Sequence, residues 1–596
     1  MYSLHPLLAP LAGLFVFLAW KLARNGSRHL SDCPTQLTSP DISPVLPDAP
    51  RTSHNLLPAL STTFDRIREC LGLSPINHTF IPRGTIDAEI NEKAVRDILV
   101  EKGIVDRTRA AEVAKKTVQT ARKLFTILVI LKKVEHICDL LSQGVEDDDL
   151  PFLLQAENVL RTNRGQEILV PEDWDDETLE ALEQKQWRVL APVFRPHAHY
   201  EFPEKQILPF VRGESEIPVE GGYGEVFRER IHANHHDFWE PPDNKVCEVA
   251  IKKLYSSQPH LFEKERRFLE TLGSAGPHPH LINLLCTYSH KGKYHLMFPC
   301  AEENLREYWN RIPLPEFNCR TLLWCLKQMT GIADGLFMIH ELPLAGISPD
   351  FMLYGRHGDL KAENILWFKT RHGCADPDGI LLITDLGLGK FHRFQSRSAE
   401  PATSVAFPTT YSPPMRPWEK VNRAFDIWSL GCLYLEFITW IVLGEEAIRK
   451  FAERRGQDDS DYELNTDFFY STNRMTVRPS VGEWVAHLKR EPRCTLVFHE
   501  LLDLIMSHMI RIDAKERSSA QIIHRKLSAM YQRAQRDQGY LLENNQSLPQ
   551  GSASGRRAYE PQRQFRLVVD DYNPWGPNDF GLPRSRVTWP QIPSST

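Results

Sequence analysis

The sequence predicts an α+β fold in three successive parts: a helical N-terminal region, a β-rich segment opening near Ile217, and a larger, mostly helical segment after it. Three observations predict it. Between Ile86 and Gly144 apolar residues recur at three-to-four spacing (Ala88, Ile90, Ala94, Ile98, Leu99), the period of a helix that buries one face. From Ile217 glycines punctuate the chain and Glu248–Lys252 alternates as a half-buried strand does. Beyond that, Phe317–His340 and Ala424–Gly444 are long apolar runs with helical spacing.

A chain of 596 residues is too long for one core and divides into domains and linkers. Its apolar fraction (42%) and charged fraction (25%) are those of globular protein, so a sizeable core is expected. A net charge of -6 argues against a nucleic-acid partner for the chain as a whole. The 11 cysteines include no C-x-x-C pair and are odd in number, unlike a disulfide framework or a zinc site; they read as reduced cytoplasmic thiols.

Taken in order, Met1 to Trp20 carries only Ser3 and His5 as strongly polar side chains, and Lys21, Arg24 and Arg28 come directly after. Such a stretch can cross a bilayer, and positive charge on its C-terminal flank keeps the rest of the chain cytoplasmic. Residues 1–22 are therefore expected as a membrane anchor; Pro6 and Pro10 favour the alternative of a short apolar leader that associates loosely with membrane or docks on protein. Residues 23–60, with Thr38–Ser39–Pro40 and Ile42–Ser43–Pro44, show no apolar period and read as a Ser/Pro-rich linker.

Residues 61–200 form a helical region of ordinary domain size. Within it Gly103 stops one helix, Asp106 can cap the next, and Leu124–Leu131, apolar on nearly every side but too short to span a bilayer, reads as a buried core helix. The charge run Glu172–Glu177 reads as a solvated face or a helix N-terminus. No catalytic constellation stands out here, which leaves packing, autoinhibition or partner docking as its role.

Val219–Phe227 has the form x-x-G-x-x-G-x-V between two apolar strand segments. Gly221 and Gly224 let the backbone close over phosphates and donate its amides to them; alone, the pattern also describes a tight hairpin. Val249–Ala250–Ile251–Lys252 then presents one lysine on a strand, and Glu265 comes next on a helix expected over Leu261–Leu272. A buried lysine needs a carboxylate, so Lys252–Glu265 is expected as an ion pair. Between the two strands, Ile231 to Asn244 carries His232, His235 and His236; three close histidines raise a metal site, but the expectation is a solvent-exposed loop. Tyr294–Phe298 reads as a strand ended by Pro299, and the main chain of Pro299–Ala301 as a hinge offering backbone groups to a purine edge.

The most specific pattern is His357–Gly358–Asp359–Leu360–Lys361–Ala362–Glu363–Asn364, with Asp385–Leu386–Gly387 downstream. It has the parts phosphoryl transfer needs: an acid to take a hydroxyl proton (Asp359), a cation beside it (Lys361), and an amide and a second acid to hold a metal (Asn364, Asp385). Ile365–Phe368 and Ile380–Ile383 flank the loop Lys369–Gly379 as hairpin strands, bringing Asn364 and Asp385 to one mouth where they can grip magnesium.

In this order the motifs resemble the eukaryotic protein kinase superfamily over residues 202–533, joined by Asp426–Ile427–Trp428–Ser429–Leu430–Gly431 and a late arginine, Arg517. The N-terminal layout is similar to that of kinase-domain proteins of filamentous fungi. The resemblance implies a bilobal fold, a small β-rich N-lobe and a large helical C-lobe, with ATP between the lobes, Mg2+ as its counter-ion and a protein hydroxyl as acceptor. Lys361, two residues after the acid, looks like the serine/threonine class. In that scheme Asp359 deprotonates the acceptor, Lys361 neutralises the migrating phosphoryl group, Lys252, paired with Glu265, binds ATP phosphates, and Asn364 and Asp385 hold the metal. Val219, Gly221, Gly224, Val226, Ala250, Phe298 and Cys300 complete the nucleotide site, Phe298 as its gatekeeper.

The chain departs from the family pattern in four places. Val219 replaces the first loop glycine. Gly358 replaces an arginine that in the family pairs with a phosphorylated activation loop, which implies that this switch is missing. Pro408 stands where a threonine often touches the catalytic loop, with Thr409 or Thr410 as substitutes. Pro413–Pro414–Met415 stands where Ala-Pro-Glu is usual, leaving Arg517 without its expected partner unless Glu419 replaces it. These departures motivate the alternative of a pseudokinase, a nucleotide-binding interaction module that transfers nothing. Residues 534–596, rich in Gln, Pro, Ser and Arg, are expected to be a disordered tail.

Overall fold

The computed structural model describes residues 62–544 except 73–79, 156–158, 212–218, 221–223, 240–246, 256–257, 344–351, 371–375, 387–391, 394–409, 416–421, 459–466 and 472–474. The expected anchor and linker, Gly221, Gly387, Pro408, Thr409, Glu419 and residues 545–596 of the tail therefore lie outside the described residues. Two compact units are present. The first takes the chain up to Phe194 with Glu201–Ser256 and Ser289–His295; the second takes Arg195–Tyr200, Ser257–Tyr288 and the chain from Leu296 onward.

In the first unit the helical periodicity becomes α1 (Thr63–Gly72), α2 (Arg83–Glu89), α3 (Glu92–Glu101), α4 (Arg107–Thr120), α5 (Arg122–Leu131), α6 (Ile137–Ser142) and α7 (Asp176–Lys185). Polar side chains set their starts by accepting from otherwise unpaired amides. Asn91 accepts from Ala94, Asp106 from Thr108 and Arg109, and Asp175 from Thr178, so the acidic run is a helix N-terminus. Leu124 to Val129 of α5 are all buried, as its all-round apolarity predicts. Its first turn has no cap of its own; the Asp147 carboxylate accepts from the amides of Lys123 and Leu124 instead. One continuous core runs from Phe64 to Val189, and each fully buried Ile, Leu or Phe in it contributes about 1.5–3 kcal/mol.

The same unit holds an antiparallel meander of β1 (Val219–Glu220), β2 (Gly224–Ile231) and β3 (Cys247–Leu254), in which Val226 faces Lys252 and Arg228 faces Ala250. Gly224 is required by this pairing, since a Cβ there would stand 2.5 Å from the Lys253 carbonyl oxygen.

The stretch after β2 corrects the sequence expectation. His235 and His236 are buried, only 2% and 6% exposed, where a solvated loop was expected. His235 accepts the Arg83 amide at Nε2 (3.0 Å) and donates from Nδ1 to the Pro192 carbonyl (2.9 Å), while Phe80 meets its ring edge-on at 5.2 Å. The histidine-rich turn docks on the start of α2, and both nitrogens of His235 are spent on backbone and not on a metal. Phe80 and Arg83, which bury it, lie more than a hundred residues upstream, beyond any local pattern.

The second unit contains α8 (Pro259–Ser274), β4 (Cys286–His290), β5 (Lys293–Pro299), α9 (Leu305–Arg311), α10 (Cys319–His340), β6 (Ile365–Phe368), β7 (Ile380–Ile383), α11 (Ala424–Leu443), α12 (Glu445–Gln457), α13 (Pro479–Leu488), α14 (Leu496–His508), α15 (Ala520–Arg536) and α16 (Gln538–Leu542), with parts of β4 and β5 assigned to the first. Lys291 and Gly292 between β4 and β5 both take positive φ (50° and 68°), as a two-residue hairpin turn requires. β6 and β7 pair antiparallel with Ile365 opposite Ile383 and Phe368 opposite Ile380. Length and composition alone would let α10 and α11 cross a membrane, but 67% and 94% of their apolar windows are buried within the chain. They are core helices. The folded chain continues past residue 533, because α16 buries Tyr540 and Leu541.

Burial pushes the His235 imidazole down to about 4, chiefly by desolvation. A base whose folded pKa is depressed stabilises the fold above its ordinary value near 6.5 and loses that contribution as pH falls toward 4, because only the unfolded chain then takes up the proton. At about 1.4 kcal/mol per unit the effect is on the order of 3 kcal/mol. We expect His235→Gln to lower stability at pH 7 and to flatten its decline between pH 6.5 and 4, measured by thermal unfolding; an unchanged pH profile would contradict the buried neutral imidazole.

Candidate active site

Asp359 is the point on which the sequence-predicted loop converges. Its carboxylate accepts from the Lys361 ammonium (2.7 Å) and from the Asn364 side-chain amide (3.1 Å), which also donates to the Asp359 carbonyl (2.7 Å). Burial works against the Lys361 ammonium, but Asp359, helped by Glu363 and Asp385, lifts its pKa above the ordinary lysine value, so it stays a cation.

His357, completely buried, ties this loop to the strand that carries Asp385. Its Nδ1 accepts the Asp359 amide (3.1 Å), which leaves Nε2–H to donate to the Thr384 carbonyl (2.8 Å). The Thr384 amide in turn donates to the Asn364 carbonyl (3.0 Å). Asp385, next in the chain, takes the left-handed conformation (φ 57°), which aspartate tolerates better than most residues and which turns the chain out of β7.

Beneath the loop sits Asp426, in the first turn of α11 and 0% exposed. Two successive amides, those of His357 and Gly358, donate to its two oxygens at 2.8 Å each, and His340 Nε2 donates at 2.9 Å. Gly358 has φ +87°, a conformation glycine adopts without strain; consecutive amides turned toward one anion form a nest. Burial alone would raise the Asp426 pKa. The hydrogen bond and charge of His340, with His357 and the Gly358 amide, outweigh it and hold the carboxyl below the usual aspartate range.

The segment Thr410–Met415 is held by α9 and α11. The Tyr411 hydroxyl donates to Glu436 of α11 (2.7 Å) and accepts from Arg306 of α9 (2.6 Å); Arg306 also pairs with Glu436 (2.9 Å) and with Glu363 of the Asp359 loop (3.2 Å). Ser429 donates to the Tyr411 carbonyl (2.9 Å). Burial drives the Tyr411 phenol well above its usual pKa, and Glu436 adds to this against Arg306, so the hydroxyl keeps its proton. Arg517 donates to the carbonyls of Arg511 (2.7 Å), Ala424 (2.9 Å) and Ile512 (3.1 Å) and lies over the Trp428 ring; Glu419, its expected substitute partner, lies outside the described residues.

Of the remaining predicted residues, Val219, Gly224, Val226, Ala250 and Lys252 lie on the β1–β3 meander of the first unit. In the second, Glu265 is buried on α8, Phe298 packs on the cluster of Ile282, Phe368, Ile380 and Leu382, and Cys300 comes just after β5. Lys252 and Glu265 thus fall in different units. Motif and spacing had assigned no role to His340, Arg306, Tyr411 or Glu436, and none to the Asp426 side chain. A signal was present: Asp426 and Glu436 are two acids in the otherwise apolar helix Ala424–Leu443, and a buried carboxylate requires donors.

Residues 221–527 match the protein kinase domain family. The chain belongs to this family. It is thereby a member of the eukaryotic protein kinase superfamily, and its fold class is the bilobal α+β kinase fold. Among curated relatives, cyclin-dependent kinase-like 4 of Mus musculus is 26% identical over 228 residues, 37% of this chain and 54% of that protein. The LRR receptor-like serine/threonine-protein kinase ER1 of Oryza sativa subsp. japonica is 29% identical over 194 residues, 32% of this chain and 18% of its own length. Human serine/threonine-protein kinase Nek5 is 26% identical over 206 residues, 33% and 25% respectively. The chain spans about half the length, or less, of these relatives.

Two amides and an imidazole aimed at one buried carboxylate make Asp426 costly to alter. Asp426→Asn, which presents an NH2 group to donors, should destabilise the protein by roughly 3–5 kcal/mol, read from chemical denaturation. Because its folded pKa is depressed, the contribution is present above the ordinary aspartate value and lost as pH falls through the folded one. A variant as stable as the wild type at pH 7 would contradict this geometry.

Proposed function

We propose that this chain transfers the γ-phosphoryl group of ATP to serine or threonine hydroxyls of proteins. The observation that carries the reading is the convergence of Lys361 and Asn364 on Asp359, joined through His357 and Thr384 to the strand end that bears Asp385. Family membership supports phosphotransfer, and relatives named serine/threonine kinases support that acceptor class.

In this reading Asp359 takes the acceptor proton, and its hydrogen bonds from Lys361 and Asn364 orient the carboxylate for that transfer. Lys361, kept protonated, offsets the charge gathering on the migrating group. Asn364 spends its NH2 on Asp359, which leaves its amide oxygen for a hard cation; with the Asp385 carboxylate it forms an oxygen donor set of the kind magnesium prefers. Magnesium, when bound there, neutralises the phosphate oxygens of ATP. By the family pattern Lys252 serves the ATP phosphates, and Val219, Gly224, Val226 and Ala250 of the first unit and Glu265, Phe298 and Cys300 of the second are the positions assigned to the nucleotide.

The pseudokinase alternative draws on Pro413–Pro414–Met415 and on Gly358. Incubating the full chain with Mg2+, ATP and a generic protein acceptor such as casein separates the two. We expect phosphoserine or phosphothreonine to form, and Asp359→Asn to cut the rate by about 10²–10⁴-fold. No transfer to any acceptor, or equal signal from both proteins, would leave the binding-module reading in its place.

A further inference from the structure

Arg455 of α12 has a placement that the roles above do not use. Its guanidinium is fully buried, lying over the rings of Phe451 (4.1 Å) and Phe469 (4.0 Å). It donates to Glu436 (3.3 Å), to the Asp467 carbonyl (2.9 Å) and to one Asp467 carboxylate oxygen (3.4 Å). Each of these two carboxylates has a second oxygen, and each is taken by the same short segment. Tyr411 donates to Glu436 (2.7 Å) and Thr410 to Asp467 (2.7 Å). One arginine therefore grips two adjacent residues through two acids. From the opposite side, Arg306 links the same Glu436 to Glu363 of the catalytic loop.

Packing alone does not call for such a residue. Burying a guanidinium carries a desolvation cost that an apolar side chain packed on the two phenylalanines would avoid. What the arginine adds is a fixed distance between α12 and the segment Thr410–Met415. We propose that Arg455, acting through Asp467 and Glu436, is a positioning residue for the acceptor, setting Thr410–Met415 so that a hydroxyl is presented to Asp359. It contacts no reacting atom. The inference rests on the protein-kinase reading and supplies an anchor on the side where Pro413–Pro414–Met415 departs from the family pattern.

The test uses the full chain with casein and ATP. Arg455→Met keeps apolar bulk against the two rings and removes every donor; Arg455→Lys keeps the charge. We expect Arg455→Met to raise KM for casein about tenfold while KM for ATP stays within about twofold, with partial recovery in Arg455→Lys. Loss of folded protein lowers kcat but leaves KM for casein where it was, so the split separates positioning from stability. Should Arg455→Met not fold, Thr410→Val cuts the Asp467 arm alone and should shift KM for casein in the same direction. An unchanged KM for casein in a wild-type background that does transfer phosphate would overturn this inference and leave the kinase reading standing. A wild type without transfer would remove both.

Discussion

The buried carboxylate of Asp426 is the constraint on which the loop His357–Asn364 depends. A charge with no exposure must be met by donors, and here the donors are two successive amides of the loop and an imidazole from α10. Gly358, which supplies the second of these amides, takes φ +87°, a conformation glycine adopts without strain. Once those amides are fixed, His357 reaches Thr384, Asp359 stands between Lys361 and Asn364, and the end of β7 is drawn to the same place. The site geometry derives from one acid at the start of an apolar helix.

Glu436, ten residues further along α11, does for the segment Thr410–Met415 what Asp426 does for the loop. Arg306, Arg455 and Tyr411 converge on it, and burial of the group is offset by their charge and hydrogen bonds, which hold its carboxyl below the usual glutamate range. A single rigid helix thus carries two anions, one under the loop that would do chemistry and one under the segment that would hold a hydroxyl. Such buried networks are weak contributors to net stability and strong determinants of a unique arrangement. That division of effects explains how the family's Ala-Pro-Glu can be absent while Tyr411 to Pro414 remain buried.

Local pattern made much of this legible. The long run ending at His340 appears as Cys319–His340, the hairpin around Lys369–Gly379 appears as β6 and β7, and Asp359, Lys361 and Asn364 come together within one loop. What stayed hidden depends on partners distant in sequence. His235 looked like a loop histidine because Arg83 and Pro192, which satisfy its two nitrogens, belong to another part of the chain. Arg455 sits in the charged stretch Ala452–Glu453–Arg454–Arg455, where nothing marks one arginine as buried and its neighbour as a surface residue. Arg517 donates to the carbonyls of Arg511 and Ala424, an outcome no spacing of side chains announces.

The dependence on Asp426 is open to direct measurement by hydrogen exchange on the wild-type chain, tracking the peptide that contains the amides of His357 and Gly358. If a buried carboxylate holds both, they exchange as slowly as the interior of α11, with free energies of opening near that of global unfolding. Exchange within seconds, as in an exposed loop, would contradict the account.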